Sequence, residues 1–572
     1  MKAEPQPKTF LSADLALAWL LVIFCTVFRL WFSGRFLLVP DETNYWQWGR
    51  YLDWGYHDQA PLIGWLIRLS TAWLGGNETA VRLPSVLSSL IVSVYSLWIA
   101  KRWFGDKAVL SVAVVSQSIL LFQVGGLLAT PDGIQAAAWA AACWHGARAY
   151  ENGRWGQWLL TGFWFGIGIL AKFTMVLFAV SIFIYGLTSL RHRQRLMEIR
   201  PYIGFLFGLL MFSPVIWWNA RHGWNSVRHV AFIGGANEAR FFQPHFLGDF
   251  IASQAALLTP IVFILVVMAW VYVARHRFDE MHYWTERYLW FASAPTILFF
   301  AALSLHTRIY GNWPAAGYIA AILLVGHLYG PGGSASGEKR PSFGRRLWPW
   351  AIGLSYAVSA LVLIQVIRPI VPLPTSMDRI SGETLGWDRL GQAVGRTVRT
   401  MPAPEKTFVF GLSYQVASEL AFYVPSQPAT VSINRWERPN VYDYWWNDAD
   451  LMGWDGVGVT YDPVSHETRL NEVFERVDPP EEMVVFRKPA LGEKADVEVK
   501  RFYIYKAYGF RGGLRWMPTD PKDIRASGLS EPDHPTQEAA NENRTSSMPP
   551  GQQESEVQPQ KSVSEQGHRS DQ

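Results

Sequence analysis

Apolar runs of roughly twenty residues recur from about Asp14 to Ile367, separated by short polar turns. A helix needs that length to cross the hydrocarbon core of a bilayer. Eleven spans are predicted, centred on 13–33, 80–100, 107–126, 132–150, 156–171, 173–190, 202–219, 249–274, 288–305, 313–329 and 347–367. Beyond Pro374 the polarity of an ordinary soluble protein returns. Leu385–Thr400 and Tyr414–Tyr423 follow helical spacing, while Thr407–Phe410, Ala429–Ile433, Gly456–Tyr461, Met483–Phe486 and Val497–Tyr505 read as strands. The pattern predicts a polytopic α-helical membrane part over 1–370 and an α/β domain over 371–516. After Trp516 no aromatic residue occurs and Ser, Glu, Gln, Pro and Asn dominate. Such a segment buries too little apolar surface to offset its ordering entropy, so 517–572 is expected to be disordered.

The loops then set the orientation. Basic residues crowd alternate loops: Lys101, Arg102 and Lys107; Arg148 and Arg154; Arg191, Arg193, Arg195 and Arg200; Arg275, Arg277 and Arg287; Lys339, Arg340, Arg345 and Arg346. The intervening short turns hold almost none apart from Lys172 and Arg308. Excess Lys and Arg mark cytoplasmic loops, so the N-terminus is expected inside and the C-terminal domain outside. The first span lacks a strongly basic start and a small-residue cleavage site, which predicts an uncleaved helix. The loop from about Gly34 to Thr79 is too long for a simple connection. Within it Thr43–Leu52 and Pro61–Leu74 read as amphipathic helices lying along the outer surface. A second long outer loop, Arg221–Gly248, carries His222, Arg228, His229, Arg240 and His245.

Composition narrows the function classes. The net charge of +4 is accounted for by the inward loops and calls for no nucleic-acid partner. Cys25 and Cys143 both fall inside predicted spans, so the outer domain does not rely on a disulfide. Several of the 29 Trp residues stand at span ends, as interfacial belts do. No glycine-rich phosphate loop is present, and no internal repeat suggests a symmetric transporter.

The candidate chemistry gathers on the outer face. Asp41 and Glu42 lie in Val39-Pro40-Asp41-Glu42-Thr43-Asn44-Tyr45-Trp46, and Asp58 follows in Trp54-Gly55-Tyr56-His57-Asp58-Gln59-Ala60-Pro61. Carboxylates at a membrane boundary are costly and mark function, although solvated loop acids or a helix cap would look the same. His57 with Asp58 fits part of a divalent-cation site, but two neighbours do not make a coordination shell. Asp132, at the outer start of the fourth span, either complements a helix dipole or joins the acids on its face. Lys172 and Arg308 either snorkel to the interface or pair with a lipid phosphate. Together these residues suggest sugar transfer from a lipid phosphate, in which a carboxylate deprotonates an acceptor hydroxyl and a cation stabilises the departing phosphate. A transporter or flippase, the other class considered, would place its polar groups near the bilayer midplane. A membrane scaffold whose outer domain binds a partner is the third.

Asp41-Glu42-Thr43-Asn44-Tyr45-Trp46 and Asp53-Trp54-Gly55-Tyr56-His57-Asp58-Gln59-Ala60-Pro61-Leu62 resemble the first outer loop of the dolichyl-phosphate-mannose protein mannosyltransferase-like superfamily. That superfamily holds glycosyltransferase family 39 and the bacterial aminoarabinose lipid A transferases. Val81-Arg82-Leu83-Pro84, Thr130-Pro131-Asp132, Leu170-Ala171-Lys172-Phe173-Thr174, Phe212-Ser213-Pro214, Asn312-Trp313-Pro314 and Ala417-Ser418-Glu419-Leu420-Ala421-Phe422-Tyr423 are similar in the same order. The resemblance implies a GT-C glycosyltransferase fold in a bacterial inner membrane and a polyprenyl-phosphate sugar as donor. The acceptor would be a lipid, glycan or protein. It implies Asp41 as principal catalytic acid with Glu42 beside it, Asp132 as the second acidic position, and Lys172, with Arg308, as contacts to the donor phosphate. Tyr45, Tyr56, His57 and Asp58 would line the substrate loop, and in some relatives the acid matching Asp58 binds a divalent cation. Gln59-Ala60-Pro61 departs from the pattern, since relatives carry a basic residue before Pro-Pro.

Overall fold

The computed structural model describes residues 12–236, 242–276, 280–331, 342–461 and 463–516. The segment 517–572 lies outside the described residues, as do Arg240, Arg277, Lys339 and Arg340 of the loops.

All eleven apolar segments are helical. Among the described residues Ala13–Phe32, Glu78–Phe104 and Ser342–Ile367 are each long and apolar enough to cross a membrane alone. Several other segments are broken, and prolines mark most of the breaks. Arg200–Met211 meets Ser213–Arg221 at 46°, with Pro214 opening the second helix. His245–Leu258 meets Pro260–Arg275 at 106°, across a Thr259 with φ of 69°. Proline lacks the N–H that the helix ladder needs and clashes with the preceding turn. The single span expected over 249–274 is therefore corrected to two helices at nearly a right angle. The segments over 107–126 and 288–305 divide likewise, Asp106–Ser118 from Leu120–Gly125 and Glu280–Phe291 from Ala294–Leu303.

The polar C-terminal part forms a sheet of β1 (Thr407–Gly411), β2 (Thr430–Ser432), β3 (Asp455–Thr460), β4 (Phe474–Val477), β5 (Glu481–Arg487) and β6 (Val497–Phe510). The order is β2-β1-β3-β6-β4, with β5 also paired to β6. β1 runs parallel to β2 and β3, and β6 runs antiparallel to β3, β4 and β5. Alternation along β1 shows why both faces are covered. Val409 points into a core with Leu390, Val394 and Leu420, while Phe408 and Phe410 point into another with Leu470 and Phe474.

The first long loop carries the two expected helices, at Pro40–Arg50 and Leu62–Leu74. Trp46, Trp48, Tyr56 and Ile63 of this loop share one buried cluster with Ile134 and Leu170 of the bundle and with Ala417, Phe422 and Tyr442 of the sheet domain. The loop is thus clamped in the seam between the membrane part and the sheet domain.

Candidate active site

The Pro40–Arg50 helix begins with proline at its first position, where a missing N–H costs nothing. Asp41 and Glu42 follow in the first turn, where the positive helix end favours carboxylates. The two acids then part company. Glu42 is completely buried and accepts hydrogen bonds from Arg82 Nε at 2.9 Å and Nη2 at 2.6 Å. It also accepts from the backbone N–H of Val39 at 3.1 Å and of Ala129 at 2.8 Å. Arg82 spends its remaining donors on the carbonyls of Ser33, Phe36 and Leu37. Every lone pair of Glu42 is committed to Arg82 and two backbone N–H groups. Through Ala129 it holds the turn that leads into Asp132.

Asp41 is exposed, and among the described residues it has no hydrogen-bond partner. Protein crowding, then the charges of Glu383, Asp58 and Glu42, push its carboxyl up to about 6, while Arg438 opposes them. Tyr45, one turn along, feels Asp41, Tyr414, Asp132 and Asp58, and burial raises its hydroxyl. Asp132 is ion-paired with Lys172 at 2.7 Å and accepts from Asn312 Nδ2 at 3.1 Å. Lys172 is buried at the end of the Trp155–Ala171 helix, whereas Arg308 is exposed and four residues from Asn312.

Tyr56 is tied into the fold of the loop. It is buried, stacks on Trp48 at 4.2 Å, and donates to the carbonyls of Trp48 and Tyr51. His57, Asp58 and His229 form a different group, with one ligand atom from each lying within 4.8 Å of the others. Asp58 Oδ1 is sealed from solvent without a hydrogen bond, 3.4 Å from His229 Nε2. Burial drives His57 down to about 4 and lowers His229, so both rings are neutral and available as ligands. Tyr444 OH lies 3.2 Å from His57 Nδ1, which leaves Nε2 for a cation. Two imidazoles and a carboxylate suit a divalent first-row metal.

Residue patterns did not point to Arg438, Tyr414 or Tyr444, all of the sheet domain. His229 showed only as one loop histidine among several. Their partners lie in the first loop more than 150 residues away, and only the fold brings them together.

Residues 58–218 match the family profile described as dolichyl-phosphate-mannose-protein mannosyltransferase. The computed model superposes on the crystal structure of ArnT from Cupriavidus metallidurans bound to undecaprenyl phosphate. The TM-score is 0.55 at 15% identity, covering 86% of this chain and 98% of that one. The chain shares the fold of that membrane enzyme. The expected resemblance and fold class both stand on these matches. The lipid A galacturonosyltransferase RgtD of Rhizobium johnstonii is 26% identical, over 50% of this chain and 59% of that protein. The undecaprenyl phosphate-alpha-4-amino-4-deoxy-L-arabinose arabinosyl transferase of an Enterobacter species is 31% identical, over 28% of this chain and 32% of its own. The chain thus spans less than two thirds of these curated relatives, both named as transferases of sugars.

Proposed function

We propose that this protein is an inverting glycosyltransferase that moves a sugar from a polyprenyl-phosphate donor, of undecaprenyl or dolichyl type, to an extracytoplasmic hydroxyl. Lipid A, another glycan and a protein side chain are the acceptor classes, and the name of RgtD favours lipid A. The observation that carries the reading is Asp41, an exposed carboxyl raised to about 6 and lying in the field of Glu383, Asp58 and Glu42. That the superposed ArnT holds undecaprenyl phosphate supports the donor class.

In this reading Asp41 takes the proton of the acceptor hydroxyl as its oxygen attacks the anomeric carbon. The bond from that carbon to the phosphate oxygen breaks, and polyprenyl phosphate leaves with the bonding pair. Attack opposite the leaving group inverts the centre. Lys172 and Arg308 are the proposed phosphate contacts on the membrane side, with Asp132 orienting Lys172. A divalent cation held by His57, Asp58 and His229 would supply Lewis-acid polarisation of a phosphate oxygen. The protein resides in a bacterial inner membrane, with its N-terminus cytoplasmic and this site outside.

Asp41→Asn keeps the shape and removes the base, so transfer falls about 10²–10⁴-fold while the protein still inserts and folds. Full activity in that variant would remove Asp41 from the mechanism. Mass spectrometry of envelope lipids and glycoproteins, with and without the gene, identifies sugar and acceptor together. The cation is tested separately by elemental analysis of the purified protein. His57→Ala and Asp58→Ala are expected to lose bound metal, and a metal-free wild type prepared without chelator would sink that part.

A further inference from the structure

We propose that Arg438, on the domain outside the membrane, grips the phosphate of the lipid-linked donor, so that the site is completed by two halves of the chain. The inference rests on the transferase reading above. Sugar transfer releases a phosphate dianion beside Asp41, Asp58 and Asp132, and a cation must meet that charge as it develops. Arg82 cannot do so, because Glu42 and three carbonyls consume it. Lys172, the membrane-side contact, is buried and shares its charge with Asp132 at 2.7 Å, so it does not meet the dianion alone.

Arg438 differs from both. It is exposed, and among the described residues it forms no ion pair with a carboxylate. Its guanidinium lies 5.6 Å from the centre of the Tyr414 ring and is in polar contact with that side chain. Its charge is felt by Asp41, His57 and His229. Arg438 therefore lies within electrostatic reach of Asp41, while among the described residues it carries no carboxylate partner.

The loop that carries it is built to hold position. Asn434 and Asn440 exchange side-chain hydrogen bonds at 2.9 and 2.8 Å, and Asp443 accepts from Asn434 Nδ2 and from the Asn440 backbone at 3.0 Å each. These bonds close the loop at its base. Tyr444, directly beyond, accepts from Asn225 at 2.8 Å and reaches His57, latching the loop over the first and second outer loops. A planar guanidinium on such a base can meet two phosphate oxygens at once, which a lysine cannot.

The test uses the full chain in lipid nanodiscs, and measures both transfer kinetics and equilibrium binding of undecaprenyl phosphate, undecaprenol and inorganic phosphate. Arg438→Ala is expected to weaken undecaprenyl phosphate binding and raise the donor KM about 10-fold or more, with the acceptor KM unchanged. Arg438→Lys should recover part of the loss. Undecaprenol should bind equally to wild type and variant, because it lacks the phosphate. Unchanged undecaprenyl phosphate binding in a folded Arg438→Ala protein would overturn the proposal, as would a loss confined to acceptor KM. Equal losses for undecaprenol and undecaprenyl phosphate would also overturn it, since they would show a structural role. If wild type neither binds undecaprenyl phosphate nor transfers a sugar from it, the transferase reading fails first, and that result is distinct.

Discussion

Asp41 stands in the negative field of Glu383, Asp58 and Glu42, and that field makes its titration observable. A base must be ionised to accept a proton, so raising its carboxyl to about 6 places the loss of activity in an accessible range. The profile of kcat/KM is expected to fall as pH drops through about 6. After protein crowding, Glu383 is the largest cause of the rise, so Glu383→Gln should move the inflection to lower pH. Glu419 shows the opposite use of a buried acid. Both of its oxygens are sealed without a hydrogen-bond partner, and burial raises its carboxyl well above the ordinary value. The folded state therefore keeps a proton that the unfolded chain gives up above the usual carboxylate range. The sign follows: stability falls as pH rises above that range, because the unfolded state binds fewer protons there. Glu419→Gln should flatten the decline of Tm between acidic and neutral pH, and an unchanged slope would show that Glu419 is not its source. At Glu42 the sequence showed two adjacent acids but not their division of labour. Arg82→Ala strands the Glu42 charge in the interior, so a loss of about 3–5 kcal/mol is expected from thermal or denaturant unfolding.

At the scale of elements, apolar runs place the membrane helices because a bilayer leaves the backbone no partner but itself. What runs do not disclose is direction. Pro214, Pro260 and Pro295 each stand within the first two positions of a new helix, and the chain turns there. Packing distance is equally hidden. Gly162 on one helix faces Gly204 and Gly208 on Arg200–Met211 so closely that a Cβ at Gly162 would collide with the Gly204 carbonyl. Such contacts substitute for the hydrophobic drive that lipid removes. Gly162→Leu is therefore expected to separate these helices and lower the melting temperature, whereas Gly156→Ala, with open space beside it, should be neutral. In the sheet domain, Tyr414–Tyr423 matches its sequence expectation to the residue and β1 to within one. β4 escaped notice because Phe474–Val477 places two exposed charged residues between its apolar ends, and β6 runs past Tyr505 to Phe510 because three strands pair along it.

Across the whole molecule the first long loop is the keystone between membrane bundle and sheet domain. Trp46 packs edge-on to Phe422 at 5.0 Å, Tyr51 stacks on Trp445 at 4.4 Å, and Gln47 bonds Tyr442 and Thr430. Trp46→Ala removes a buried aromatic, a change that costs about 3–5 kcal/mol. It should increase hydrogen exchange in Pro40–Arg50 and Tyr414–Tyr423 together, and an increase in only one would mean the two are not coupled. By itself the sequence determined the membrane class, the polar α/β domain, the two surface helices and the ordered motifs that resemble the superfamily. Those features are written in local periodicity and local order along the chain. Tertiary structure alone decided that Asp41 stays open while Glu42 is consumed by Arg82, and that His229 joins His57 and Asp58. It also decided that Arg438, Tyr414 and Tyr444 lean over the acids from the far domain. Burial and pairing depend on what the chain brings back from hundreds of residues away, and no local pattern encodes that return.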